Sequence, residues 1–230
     1  KRVNRRYLPR EEVPKNVTAT TDFADLSDSK ILVMVTPSAA TREVAASAAE
    51  AVSLEKDVPI VSATKGIEAS SGKRMTEILA ESFVGHPVAG VSGPNHAEEV
   101  ARHMATASVI GCDDQAVADR LQAIFTLPFF RTYTSDDVVG IEYGGAVKNV
   151  FALAGGIADG LGLGDNAKAA LVTRGLAELA RLGLALGGQP ETFQGLSGVG
   201  DLIVTCYSAH SRNNRVGQMI GKGHSLDEIG

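Results

Sequence analysis

Short apolar runs alternate with helical patterns along the first 140 residues. Ile31-Leu-Val-Met-Val35, Pro59-Ile-Val-Ser62, Val88 to Val91, Ser108 to Ile110 and Phe129 to Tyr133 are compact and rich in β-branched or aromatic residues, as buried strands are. Between them, Ala39 to Val52, Met75 to Phe83 and Gln115 to Phe125 carry apolar residues at helical spacing. Buried strands separated by helices predict a parallel sheet covered on both faces. Such sheets bind ligands beyond the carboxyl ends of their strands. The loops to watch are therefore Thr36-Pro37-Ser38, Thr64-Lys65-Gly66 and Ser92-Gly93-Pro94-Asn95.

From about residue 140 the texture becomes helical. Val147, Val150, Phe151, Ala154, Ile157, Ala158 and Leu161 form one apolar stripe. A second helix is predicted from Ala167 to Leu186, stopped by Gly187-Gly188, and a third after Ser211. The division that follows is 1–139 for the α/β part and 140–230 for an all-helical part. Lys1 to Arg10 is basic but short and reads as a solvated loop.

Composition narrows the partners. The 230 residues suffice for one large or two modest domains, and a formal net charge of −5 argues against a nonspecific nucleic-acid binder. A small anion could still find a local cationic pocket. Cys112 and Cys206 are too few for a disulfide framework and read as free thiols in a reducing compartment. No apolar run approaches the roughly 20 residues of a membrane span. The five histidines show no metal-ligand spacing.

Lys148 sits one step off the apolar stripe, on a face with Gly144 or Gly145, Ala152, Gly155 and Asp159. Glycine inside a helix costs about 0.5–1 kcal/mol relative to alanine, so these glycines call for close approach of a backbone or a ligand. A lysine there could be desolvated and exchange a proton near neutral pH; a solvated lysine beside packing glycines is the plainer alternative. Ser211 is a good N-cap that puts Arg212 and Arg215 in a first helical turn. Cations oppose the helix dipole there unless an anion binds among them, or unless they reach away to water. Asn95 with Glu98 reads as a capping box. Lys65 is either a site cation or a loop lysine, and Asp201 after Gly198-Val-Gly200 either orients a polar group or ends a turn. No glycine-rich strand-to-helix turn of the dinucleotide-binding type is present. Spacing alone thus stops at an α/β part plus a helical part, with a possible anion site.

The motifs resemble those of the bacterial-type NAD(P)-dependent glycerol-3-phosphate dehydrogenases. The resemblance runs through Ile141-Glu-Tyr-Gly-Gly-Ala-Val-Lys-Asn149, Gly155-Gly-Ile-Ala-Asp-Gly-Leu-Gly-Leu-Gly-Asp-Asn-Ala-Lys-Ala169, Thr173-Arg-Gly175, Gly198-Val-Gly-Asp-Leu202, Thr205-Cys206 and Ser211-Arg-Asn213. Arg6-Tyr-Leu-Pro9, Ala63-Thr-Lys-Gly66 and Ser92-Gly-Pro94 match in the same order. It implies a Rossmann-type domain followed by a helical substrate domain, with NAD or NADP as cofactor. The activity implied is interconversion of glycerol 3-phosphate and dihydroxyacetone phosphate, feeding phospholipid synthesis in the cytoplasm, with a homodimer compatible with the resemblance. Lys148 would be the general acid/base. Lys65, Gly93, Asn95, Asp201, Ser211, Arg212 and Asn213 would contact substrate, and Lys65, Ala97 and Arg212 the cofactor. Asn95-His96 departs from the more usual small hydroxyl residue and aromatic. In the family the glycine-rich turn precedes Arg-Tyr-Leu-Pro and further helices follow, so the resemblance implies a chain lacking its first βαβ unit and its last helices. Another hydroxy-acid dehydrogenase of this build, a non-catalytic substrate-binding protein and a helical dimerisation module remain alternatives.

Overall fold

The computed structural model describes residues 2–208 and 210–229. Its centre is a five-stranded sheet in the order β3 (Leu32–Met34), β4 (Ile60–Ser62), β5 (Val88–Ser92), β6 (Thr106–Gly111), β7 (Phe130–Ser135). The strands lie where the apolar runs predict them, with ends differing by one or two residues. Alternation along a strand decides which face each side chain covers. Leu32, Met34 and Ile60 pack with Ala45 and Ala48 of α1 (Thr41–Ala51) and Leu79 of α2 (Met75–Ser82). Val61, Ala89, Val91 and Ile110 pack on the other face with Ala118 and Leu121 of α4 (Gln115–Phe125). The Rossmann-type α/β layering is present.

One feature departs from an all-parallel sheet. β3, β4 and β5 are parallel, but β6 pairs antiparallel with β5, and β7 follows β6 in parallel. Only a five-residue helix, α3 (Ala97–Ala101), links β5 to β6. At 1.5 Å per residue it extends about 7.5 Å, too little to return along a strand of about 16 Å. The chain therefore re-enters the sheet in the opposite direction. A second departure lies at the start: Val3–Asn4 (β1) and Leu8–Glu12 (β2) form a small antiparallel hairpin where a solvated loop was expected. The Arg2 guanidinium ties it down by donating to the carbonyls of Val13 and Val17.

The helical part begins with α5 (Val138–Gly160), capped by Asp137, whose carboxylate accepts from the Gly140 and Gln189 N–H groups at 2.8 Å each. α6 (Gly164–Ala185), α7 (Pro190–Gln194), α8 (Asp201–Tyr207), α9 (Arg212–Gly221) and α10 (Leu226–Ile229) follow. A π-helical turn, Leu196–Gly200, leads into α8. α5 packs on β5 and against α6, α8 and α9.

The buried face of α5 is not the apolar stripe read from the sequence. Val150 is 65% exposed and Leu161 58%, whereas Gly144, Gly145, Lys148, Ala152, Gly155 and Gly156 are buried. Small residues win this face because backbone, not side chain, fills it. A Cβ on Gly156 would meet the Asn214 carbonyl of α9 at 2.0 Å, and one on Gly144 the Ser197 carbonyl at 2.5 Å. Gly156→Ala is therefore expected to lower stability by about 1–3 kcal/mol or more through overpacking. Urea unfolding measures this, and an unchanged midpoint would mean that α9 does not lie as described.

Candidate active site

Two strand ends and two helices deliver the side chains of the site. Lys65 follows β4, Gly93 and Asn95 follow β5, Lys148 stands near the middle of α5, and Asp201 opens α8. The Lys65 ammonium donates to Asp201 Oδ2 at 2.8 Å, to the Gly93 carbonyl at 2.6 Å and to Asn95 Oδ1 at 3.0 Å. Lys148 Nζ donates to the other oxygen, Asp201 Oδ1. One carboxylate thus joins two ammonium groups from opposite halves of the chain. Asp201 is 1% exposed and Lys148 5%. The Thr205 hydroxyl donates to the Asp201 carbonyl at 2.6 Å, fixing the start of α8.

Burial, then the like charge of Lys65, pushes the Lys148 ammonium from 10.5 down to about 8, with Asp201 opposing the fall. The group can therefore lose or hold a proton close to neutral pH. Gly93 is buried with φ +134°, and a Cβ there would meet the Ser108 Cα at 3.0 Å. That conformation, open to glycine but not to other L-residues, turns its carbonyl to Lys65.

Five of the expected residues, Lys65, Gly93, Asn95, Lys148 and Asp201, thus meet in one hydrogen-bonded cluster. Ser211 caps α9 as expected, its Oγ accepting from the Asn214 N–H at 3.2 Å. Arg212 is exposed, with no hydrogen-bond or ion-pair partner among the described residues, and Asn213 is half-buried beside it. No direct bond joins these two to the lysine cluster among the described residues. Ala97, exposed, is the first residue of α3.

The capping box read at Asn95 is not formed. His96 is the N-cap of α3 and makes no side-chain cap bond, while the Asn95 amide donates to Ser108 Oγ at 3.0 Å and its oxygen serves Lys65. Binding Lys65 competes with capping for the same oxygen, and the cationic donor makes the stronger bond.

The sequence reading assigned no role to Thr205, Ser92 or His96. Thr205 was within reach of it, standing one helical turn after Asp201. A cavity of about 500 Å³ lies elsewhere, between β6–β7 and α7. Its walls include Val109, Ile141 and Leu196, and no cation lines it. The lysine cluster, not that cavity, is suited to an anionic or oxygen-rich ligand.

The model for the NAD-dependent glycerol-3-phosphate dehydrogenase N-terminus matches residues 1–118, and that for the C-terminus of the same enzymes matches residues 137–230. The chain belongs to this dehydrogenase family. Glycerol-3-phosphate dehydrogenase (NAD(P)+) of Lysinibacillus sphaericus is 51% identical over 230 residues, 98% of this chain and 68% of that protein. The Clostridium tetani enzyme of the same name is 48% identical over 229 residues, 99% of this chain and 65% of that protein. The chain thus spans about two thirds of the length of these curated relatives. A crystal structure of the dehydrogenase from Coxiella burnetii superposes with a TM-score of 0.94 at 38% identity, covering 99% of this chain and 70% of that one. Its Dunaliella salina counterpart gives 0.89 at 28% identity, covering 96% and 38%.

NAD or NADP is the coenzyme of the family. At the end of the parallel strands, the Thr64 hydroxyl donates to the Thr36 carbonyl at 2.7 Å, and Gly66 lies so near Ser38 that a Cβ would sit 2.6 Å from its Cβ. These packed loops border the Lys65 cluster, where a dinucleotide lies in sheets of this kind. Beside these loops, an amine able to exchange a proton near neutral pH is the chemistry that hydride transfer with a nicotinamide calls for. The 230 residues include no glycine-rich turn for its pyrophosphate.

The lowered Lys148 pKa has a consequence for folding. Below pH 8 both states hold the proton, and folding bears the full cost of burying it. Between pH 8 and 10.5 the folded protein has released the proton while the unfolded chain keeps it, so stability rises with pH through that window. Lys148→Met is expected to be the more stable protein at pH 7, with the gap closing as pH approaches 10.5. Paired urea titrations across this range test it; a pH-independent gap would contradict it.

Proposed function

We propose that the site described above serves the interconversion of glycerol 3-phosphate and dihydroxyacetone phosphate in the complete protein, with Lys148 as the general acid/base. The observation that carries this reading is the lysine's burial beside Lys65 and Asp201, with its pKa lowered to about 8. The nicotinamide cofactor, when bound, supplies or accepts the hydride. Lys148 takes the proton of the C2 hydroxyl in the oxidative direction and returns it to the C2 oxygen in the reductive one. Asp201 holds Nζ in place through Oδ1, and burial together with Lys65, tied to Oδ2, keeps the Lys148 ammonium acidic.

Gly93 and Asn95 position Lys65, which contacts substrate and cofactor, and Ala97 borders the cofactor. Ser211, Arg212 and Asn213 receive the phosphate at the start of α9, Arg212 also facing the cofactor. Arg212 is exposed and has no partner among the described residues, which supports this, because a guanidinium at a helix start is stabilised once an anion joins it. Holding both ends of the substrate fixes C2 against its reaction partner, an effect that contributes up to about 7–11 kcal/mol in well-oriented systems. The reading also places the protein in the cytoplasm, which the free, buried Cys112 and Cys206 fit. It allows a homodimer, for which exposed apolar residues such as Val150, Leu163 and Ile203 offer a surface. No helix among the described residues is long and apolar enough to cross a membrane.

Lys148→Ala is expected to lower kcat by about 10²–10⁴-fold with little change in KM. In the wild type, oxidation requires the uncharged amine and reduction the ammonium. The oxidative rate should therefore rise with pH through an apparent pKa near 8, and the reductive rate should fall through the same value. Steady-state kinetics in both directions checks this. Near-normal turnover by Lys148→Ala would remove the assignment.

A further inference from the structure

Two buried side-chain polar atoms lack a hydrogen-bond partner among the described residues, Ser92 Oγ and His96 Nε2. Both belong to the segment that also supplies the Gly93 carbonyl and the Asn95 amide to Lys65. Leaving buried polar atoms unpaired costs stability, and native chains rarely do so without a reason. Ser92 is crowded by α5: a Cβ on Gly145 would lie 2.5 Å from its hydroxyl. His96 is placed differently. Its half-buried ring lies within the electrostatic reach of Lys148, Lys65 and Asp201 together. Its centroid is 6.1 Å from that of His210, the residue before the Ser211 cap. The ring thus lies near both the lysine cluster and the residue preceding the start of α9, the two places assigned to C2 and to the phosphate.

Burial first, and then the two lysines, lower the imidazole below its usual 6.5. At neutral pH the ring is uncharged, with one N–H donor and one acceptor nitrogen. It can add a hydrogen bond to the site without adding a third cation to two ammonium groups that share one carboxylate.

We propose that His96 is a further ligand-contacting residue, whose Nε2 hydrogen-bonds an uncharged oxygen of the ligand lying between Lys148 and α9. That oxygen is a hydroxyl or carbonyl of the three-carbon substrate, or the carboxamide of the nicotinamide. The inference rests on the function proposed above and adds a specificity-determining contact to it.

The test uses the complete protein, with His96→Phe removing the hydrogen bond while keeping a ring and His96→Gln keeping a polar end. If the oxygen belongs to the substrate, His96→Phe raises the KM for glycerol 3-phosphate roughly 3–10-fold with little effect on NADH binding. If it belongs to the cofactor, the Kd for NADH, read by nicotinamide fluorescence without substrate, rises by that factor instead. In either case His96→Gln recovers most of the loss, and all three proteins melt at similar temperatures. Unchanged constants in His96→Phe would overturn the proposal, as would a defect that His96→Gln shares in step with lost stability. The parallel wild-type assay separates the two readings. No wild-type turnover of glycerol 3-phosphate overturns the proposed function and this contact with it; normal turnover with unchanged His96→Phe constants overturns the contact alone.

Discussion

The carboxylate of Asp201 reaches Lys65 with one oxygen and Lys148 with the other, and the rest of the site is arranged around that sharing. Two ammonium groups withdrawn from water would repel each other, and a buried charge left without a partner costs several kcal/mol. One carboxylate between them offsets most of that cost without cancelling it. An excess positive charge remains, which favours an electron-rich oxygen as its partner. Burial first, and then this imbalance, make Lys148 a weak enough base to release its proton near pH 8. Full neutralisation by a second carboxylate would have stabilised the fold and held the proton.

Bringing these three groups together requires the two halves of the chain to meet closely, and α5 is the element that arranges it. Its first turns lie on the sheet: the Glu142 carboxylate accepts from the Thr76 N–H at 3.0 Å and from the Arg74 guanidinium at 2.9 Å, at the start of α2. Its later turns lie against α9, where Gly156 and Gly217 let the two backbones approach. A larger residue at either contact would tilt the helix that carries Lys148. The glycines cost helix propensity; in return the Lys148 amine is held between Asp201 and the strand ends. The same contact sets α9, and with it Arg212, on the helix bearing the amine.

Much of this was legible in the sequence, for reasons that differ from residue to residue. Strands β4 and β5 declared themselves because buried parallel strands are uninterrupted apolar runs, and β3 through an apolar run although Val33 is exposed. Ser211 declared itself as a cap because its chemistry is local. The glycines beside Lys148 pointed to a close backbone approach, and the structure has one. The reversal at β6 was hidden, since it depends on the brevity of α3 rather than on any pattern in the strand. The buried face of α5 was misread because apolar side chains were weighed above small ones. Asn95 looked like a cap until Lys65, thirty residues earlier, claimed its oxygen. Pairings such as Lys65 with Asp201 span 136 residues, and no local spacing encodes them; there only the family resemblance named both partners. It did not reach His96, where this chain departs from the family's usual residue.

The most direct test of this account is the protonation of the Lys148 side chain itself. In protein with 13C-labelled lysine, the Cε resonance that disappears in Lys148→Arg identifies it, and its shift can be followed against pH. A midpoint near 8, moving lower in Asp201→Asn, is the result the shared carboxylate and neighbouring ammonium require. A midpoint near 10.5 that is indifferent to Asp201 would show that the amine is neither buried nor coupled as described.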